Sequence, residues 1–361
     1  MPQKSKYGKT VLLARFSAFG DVAMTVPVIY SACRCYPDVR FVLVTRPSMV
    51  SIFVNPPENL VVTGADVKTR YAGVAGLRRL ADELRREYRP DAFGDLHNVL
   101  RTKVLGFFLR LRGVPVARIF KPRAKRRALT RATNKVMLPL TSQRARYREV
   151  FYKLGFPLNE RFDGLYGDRS KAKAADFAAI TPPKRTGEKW VGLAPFAAHA
   201  GKIYPPEKME LVLGRLQDDV DAGKRLRVFL FGGGDAEAKV LAEWASRYGC
   251  ATSLAGKKFG FGAELALLNH LDCLVSMDSA NMHLGAIAGT PTLSIWGATH
   301  PYCGFKAWRQ TDDMMIQVPL SCRPCSVFGD KACPRGDYLC LTAIRPELVA
   351  DKINKVLENG K

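Results

Sequence analysis

An apolar run, Cys273-Leu274-Val275-Ser276, leads through Met277-Asp278-Ser279-Ala280-Asn281-Met282-His283-Leu284-Gly285-Ala286 into a second one, Pro291-Thr292-Leu293-Ser294-Ile295-Trp296. The order is strand, polar turn, short helix, strand, which is the repeating unit of a parallel α/β sheet. Asp278 and Ser279 fall where the strand ends and the helix begins. Ligands of open α/β sheets gather at such carboxyl ends, and helix N-termini offer unpaired N–H groups to phosphate. The competing reading makes Asp278 or Ser279 an N-cap and nothing more.

A second segment of the same kind lies near the N-terminus. Val11-Leu12-Leu13-Ala14-Arg15-Phe16 reads as a short strand and is followed by Ser17-Ala18-Phe19-Gly20-Asp21-Val22. Gly20 permits a tight turn that delivers Asp21 at the mouth of the strand. Pro27 predicts a short turn after Asp21 and then a helix restarting at Pro27, with Thr25 near its cap. Only one glycine is present, so the segment is no GxGxxG fingerprint, which argues against an oxidoreductase that binds a dinucleotide.

Ser17 to Pro27 resembles the signature Ser-x-x-Gly-Asp-x-x-x-x-x-Pro of glycosyltransferase family 9, which contains the ADP-heptose:lipopolysaccharide heptosyltransferases. Asp278 to Pro301 resembles that family's second signature, Asp-Ser/Thr-Gly-x-x-His-x-x-Ala-x-x-x-x-Pro, ending in Gly-x-Thr-x-Pro. Ala280 stands where the family usually has glycine. Alanine is mild there if the backbone is helical and strained if φ is positive.

The resemblance covers most of the chain and implies a GT-B fold, an α/β architecture of two Rossmann-like domains facing a cleft. It implies inverting transfer of heptose from ADP-heptose to a lipopolysaccharide inner-core acceptor, with Asp21 as general base and Lys202 stabilising the departing diphosphate. Lys202 sits three residues before Pro205, as the family's phosphate-contacting loop requires. Ala197 and Ala198 offer that loop only backbone N–H groups. Asp278 is assigned to sugar hydroxyls, and Ser279, Ala280, Met282 and His283 to the helix start near phosphate. Gly233 permits close approach to a ligand or simply makes a turn, and Glu237 aligns loosely with a nucleoside contact. Phe259 either stacks on adenine or belongs to the core. No cofactor is expected beyond the ADP-sugar donor, and no metal is required for the chemistry.

A length of 361 residues favours two domains. The expected division is an acceptor-binding domain over 1–170, a linker over 171–188, a nucleotide-sugar domain over 189–344 and a closing helix over 345–361. Strands are expected at 11–16, 40–44, 60–63 and 91–96, with helices at 76–88 and 143–154. A Pro-rich stretch within 168–189 reads as the connection. Strands at 190–195, 227–232, 251–254, 271–277 and 292–296 then alternate with helices at 207–216, 236–248 and 263–269.

No run of 18 apolar residues occurs, and the basic start breaks at Arg15 and Asp21, so neither a membrane span nor a signal peptide is expected. The expected location is the cytosol. The net charge of +23 is the largest compositional deviation, and much of it lies between Arg118 and Arg148. Such a run binds polyanions. Only Phe120 and Tyr147 interrupt it, which disfavours nucleic acid and favours an anionic glycolipid acceptor and peripheral contact with the inner membrane surface. A solvated basic loop and a non-catalytic polyanion- or nucleotide-binding protein are the alternatives.

Cys322, Cys325, Cys333 and Cys340 form C-x2-C-x7-C-x6-C. The opening pair suits a structural zinc site, while the irregular second half suits separate packed thiols. Cys33, Cys35, Cys250, Cys273 and Cys303 read as core residues.

Overall fold

The computed structural model describes residues 7–167 and 170–359, so the basic N-terminal start, Asp168 and Arg169 at the head of the expected connection, and the last two positions lie outside it. The described chain forms two compact units. One holds the residues up to Lys121 together with Thr141–Leu165, and the other holds Pro122–Leu140 together with everything from Tyr166 onward. Residues 122–140 therefore pack with the second unit although they precede the end of the first. The closing helix belongs to the second unit as well.

The first unit runs β1 (Lys9–Ala14), α1 (Phe19–Ala23), α2 (Val26–Cys35), β2 (Val39–Thr45), β3 (Leu60–Gly64), α3 (Gly73–Tyr88), β4 (Ala92–Asp95), α4 (Leu100–Arg110) and β5 (Val116–Arg118). Between them, α5 (Arg123–Leu129) lies in the second unit, and α6 (Gln143–Lys153) returns to the first. The five strands pair in parallel in the order β3-β2-β1-β4-β5. Strands covered on both faces must be apolar throughout, and Val11 to Ala14 and Phe41 to Val44 are fully buried. α3 shows the complementary pattern: Leu77, Leu80, Ala81, Leu84 and Tyr88 recur at helical spacing on its buried face. Thr25 and Pro27 do open α2, and the expected turn after Gly20 is the one-turn helix α1, with Asp21 in it.

The second unit runs β6 (Lys189–Ala194), α7 (Pro206–Asp221), β7 (Leu226–Leu230), α8 (Asp235–Arg247), β8 (Ala251–Ser253), α9 (Phe261–His270), β9 (Cys273–Met277), α10 (Ala280–Ala288), β10 (Thr292–Trp296), β11 (Met315–Gln317), α11 (Leu339–Thr342) and α12 (Pro346–Asn359). Its six strands are parallel in the order β11-β10-β9-β6-β7-β8. The core gathers Val191, Leu213, Val228, Trp244, Val275 and Ile295, and α12 adds Val349 and Ile353. Gly285 lets α10 lie close on the sheet, because a Cβ there would stand 2.4 Å from Leu274 and 2.8 Å from Thr292. The architecture is the expected pair of Rossmann-like units. No helix among the described residues is long and apolar enough to cross a membrane.

Each sheet has one point where the direction of winding reverses. In the first it lies between β1 and β4, and in the second between β6 and β9. Ligand sites of open α/β sheets form at that point, beyond the carboxyl ends of the strands.

Candidate active site

In the second unit, the loops after β6 and β9 meet at the reversal. The ammonium of Lys202 lies 2.9 Å from Asp278 Oδ2, with side-chain exposures of 17% and 4%. Thr299 Oγ1 donates to the same oxygen at 2.8 Å. Asp278 therefore spends its carboxylate on Lys202 and Thr299 rather than on capping α10. Ser279, the N-cap residue, has extended backbone and makes no side-chain cap; its hydroxyl lies 3.1 Å from that of Ser276. No side chain caps α10, so its first N–H groups remain available for an anion. This removes the reading of Asp278 or Ser279 as a mere cap.

Ala280 opens α10 with helical backbone, the case in which alanine replaces glycine without strain. Met282 is fully buried, so its side chain offers no surface to a ligand, and His283 is only 6% exposed. Any contact by Met282 is through its backbone N–H, the kind of contact expected of it at the helix start. Ala197 is half-buried and Ala198 exposed at the end of β6, and Phe259 is half-buried after β8. Glu237 accepts the N–H of Gly233 at 2.7 Å, so its carboxylate holds the glycine turn after β7.

The Lys202 loop is braced from behind. Ala298 donates to Gly201 O at 2.8 Å. Gly329, at φ +77°, leaves the space that the Lys202 stem fills: a Cβ there would come within 2.6 Å of Lys202 Cγ. Arg323, 3% exposed, donates to Gly297 O at 2.5 Å, Thr299 O at 3.0 Å, Val318 O at 2.6 Å and Gln317 Oε1 at 3.1 Å. From the earlier part of the chain, Lys135 donates to the carbonyls of Ser321, Cys322 and Pro324 at 2.7–3.2 Å. Arg126 lies over the rings of Phe305 and Phe328. Lys135 and Arg126 are thus structural, whereas Arg123, Lys125 and Arg127 on α5 remain exposed.

The cysteine segment contributes to this scaffold through Arg323 and Gly329. All its cysteines are free thiols, and among the described residues no three His, Cys, Asp or Glu groups are placed to hold a metal ion. Burial pushes the Cys340 thiol up to about 11, and the same holds for Cys250 and Cys303.

In the first unit, Asp21 pairs with Arg15, its side chain retaining 23% exposure. Arg15 also donates to Leu96 O at 2.7 Å and lies 5.8 Å from the Tyr147 ring centre. Tyr147 donates to the Asp21 carbonyl at 3.1 Å. Across the reversal, Asp95 at the end of β4 accepts the N–H groups of His97 at 2.9 Å and Asn98 at 2.7 Å. The His97 ring reaches back toward β1, with Nδ1 3.4 Å from Phe16 N and Nε2 3.4 Å from Ser17 Oγ. Burial, and then the positive charges of Arg15, Lys121, Arg46 and Arg101, push the His97 pKa down to about 3. The ring is neutral at physiological pH. Sequence reasoning missed His97, although Asp95-Leu96-His97-Asn98 is a polar turn ending a strand, the same signal that singled out Asp21.

Three comparisons bear on this arrangement. The chain is 25% identical to lipopolysaccharide heptosyltransferase 1 of Pseudomonas aeruginosa, over 96% of this chain and 98% of that one. It is 28% identical to lipooligosaccharide heptosyltransferase 2 of Campylobacter jejuni over 89 residues, 25% of this chain and 27% of that relative. The structure of the E. coli heptosyltransferase WaaC with ADP-2-deoxy-2-fluoro heptose superposes with a TM-score of 0.62 at 18% identity, covering 98% of this chain and 100% of that one. Residues 120–334 match the model of glycosyltransferase family 9 (heptosyltransferase), and with more than half of its length so matched, the chain belongs to that family and is a glycosyltransferase.

Proposed function

We propose that the enzyme transfers a heptose from ADP-heptose to an inner-core acceptor of lipopolysaccharide, with inversion at the transferred carbon. One observation carries the reading: the Lys202–Asp278 pair sits at the reversal of the second sheet beside an uncapped helix start. A diphosphate leaving group needs positive charge and N–H donors, and a sugar needs a fixed hydroxyl acceptor. Lysine has three N–H donors; one is engaged by Asp278, which leaves donors for phosphate. The heptosyltransferase names of the relatives support the same donor and acceptor class.

In this reading the second unit binds the donor and the first binds the acceptor. Asp21, oriented by Arg15, takes the proton of the attacking hydroxyl. Ala197, Ala198 and the start of α10 offer backbone N–H groups to the diphosphate, and Phe259 flanks the nucleoside. The exposed cations of α5 serve an anionic glycolipid, and the enzyme works in the cytoplasm at the inner membrane surface.

The test is release of ADP from ADP-heptose in the presence of a heptose-deficient core acceptor. The expected result is acceptor-dependent turnover and a product heavier by one heptose. Turnover with a different nucleotide sugar and none with ADP-heptose would overturn the donor assignment.

A further inference from the structure

α4 has two apolar faces, and the fold uses only one. Thr102, Leu105, Gly106 and Leu109 are buried. At about 100° per residue, Leu100, Val104, Phe107 and the C-cap Leu111 fall within roughly 60° of one another on the opposite side. Leu100 is 77% exposed, Phe107 54% and Leu111 66%, and Val104 is half-buried. Exposed Lys103 and Arg110 flank this stripe on one side and exposed Arg101 on the other. Asp82 of α3, the nearby acid, is paired with Arg112. From Leu96 to Arg148 the chain carries fifteen Lys and Arg and no Asp or Glu.

We propose that the outer face of α4 is an interfacial helix that seats on an anionic lipid bilayer. Leucine and phenylalanine side chains gain from entering the acyl boundary, and the flanking cations gain from acidic headgroups at the same depth. A second copy of the chain is a poor occupant, because pairing two such faces sets cations against cations. Nucleic acid would leave Leu100 and Leu111 in contact with charge and water. α4 begins three residues after His97, so docking holds the carboxyl end of β4 near the membrane surface. A lipid-anchored acceptor would be met there; that consequence rests on the proposed function, whereas the docking itself does not.

Sedimentation of the full chain with vesicles tests it. Binding is expected to vesicles of phosphatidylcholine with phosphatidylglycerol, weakening with salt, and to fall about tenfold or more on pure phosphatidylcholine. The double variant Phe107→Ser, Leu111→Ser should lose about tenfold in anionic-vesicle affinity with unchanged circular dichroism and melting temperature, since both side chains are already in solvent. Lys103→Gln with Arg110→Gln should flatten the salt dependence. Wild-type affinity in the serine double variant, or a wild-type dimer that this variant converts to monomer, would overturn the proposal. Turnover of ADP-heptose on a soluble acceptor is read alongside: vesicle binding without turnover removes only the functional reading, and turnover without vesicle binding removes only this one.

Discussion

Lys202 and Asp278 come from loops at the ends of two adjacent strands, β6 and β9, and meet at 2.9 Å with side chains largely withdrawn from solvent. Their mutual charge compensation lets a lysine stay largely buried at the reversal of the second sheet. In the proposed function the pair links the stability of the second unit to donor binding.

Replacing Lys202 by alanine is expected to weaken ADP binding by about 10- to 100-fold, or roughly 1.4–2.7 kcal/mol, measured by calorimetry. Asp278→Asn should retain the Thr299 hydroxyl contact but release Lys202, lowering stability by about 1–3 kcal/mol. Unchanged ADP affinity in Lys202→Ala would take Lys202 out of the donor site.

Asp21→Asn preserves the shape that Arg15 holds and removes the basicity. A positioned base contributes about 10²- to 10⁴-fold, so kcat should fall by about that factor while donor affinity and melting temperature stay close to wild type. Early melting with kcat retained in the folded fraction would make Asp21 a structural residue, and the base would have to be sought elsewhere.

His97 gives a pH signature with a defined sign. Its folded pKa of about 3 lies below the ordinary histidine value of 6.5, so between these limits the unfolded chain binds the extra proton. The stabilisation is complete above pH 6.5 and is lost progressively as pH falls toward 3. It amounts to a few kcal/mol for a group this buried. Urea unfolding across that window should show a shallower pH slope for His97→Gln than for wild type. Identical slopes would show that the ring is not held neutral.

Arg323→Lys should behave almost like Arg323→Met. The four acceptors from Gly297 to Val318 are met by a planar fork that an ammonium cannot reproduce. Both variants are expected to lose about 2–4 kcal/mol of stability, because buried carbonyls are left without donors. ADP affinity should fall with it, since Gly297 and Thr299 frame the Lys202–Asp278 pair. Rescue by lysine would show that charge alone suffices.

The periodic elements were legible from residue order. Strands expected at 40–44, 251–254 and 292–296 and helices at 76–88, 207–216 and 236–248 lie within a few residues of the observed ones, because two-sided burial and one-sided burial leave different spacings in the chain. β5 and β11, three residues each, are too short to leave a period, and α4, apolar on both faces, leaves no single stripe to detect.

Asp21 and Asp278 stood out because turn residues after apolar runs mark strand ends, and Lys202 because its spacing to Pro205 resembles the family's phosphate-contacting loop. That Lys202 donates to Asp278, that Asp21 is gripped by Arg15, and that His97 lies against Ser17 are facts of strand order. The same holds for residues 122–140, whose charge pointed to polyanion binding but whose Lys135 and Arg126 are bound into the second unit. Local sequence sets which backbone conformations are cheap at each position. Which strand ends become neighbours depends on the core that forms when distant strands pair and exclude water, and only that long-range burial brings these charges together.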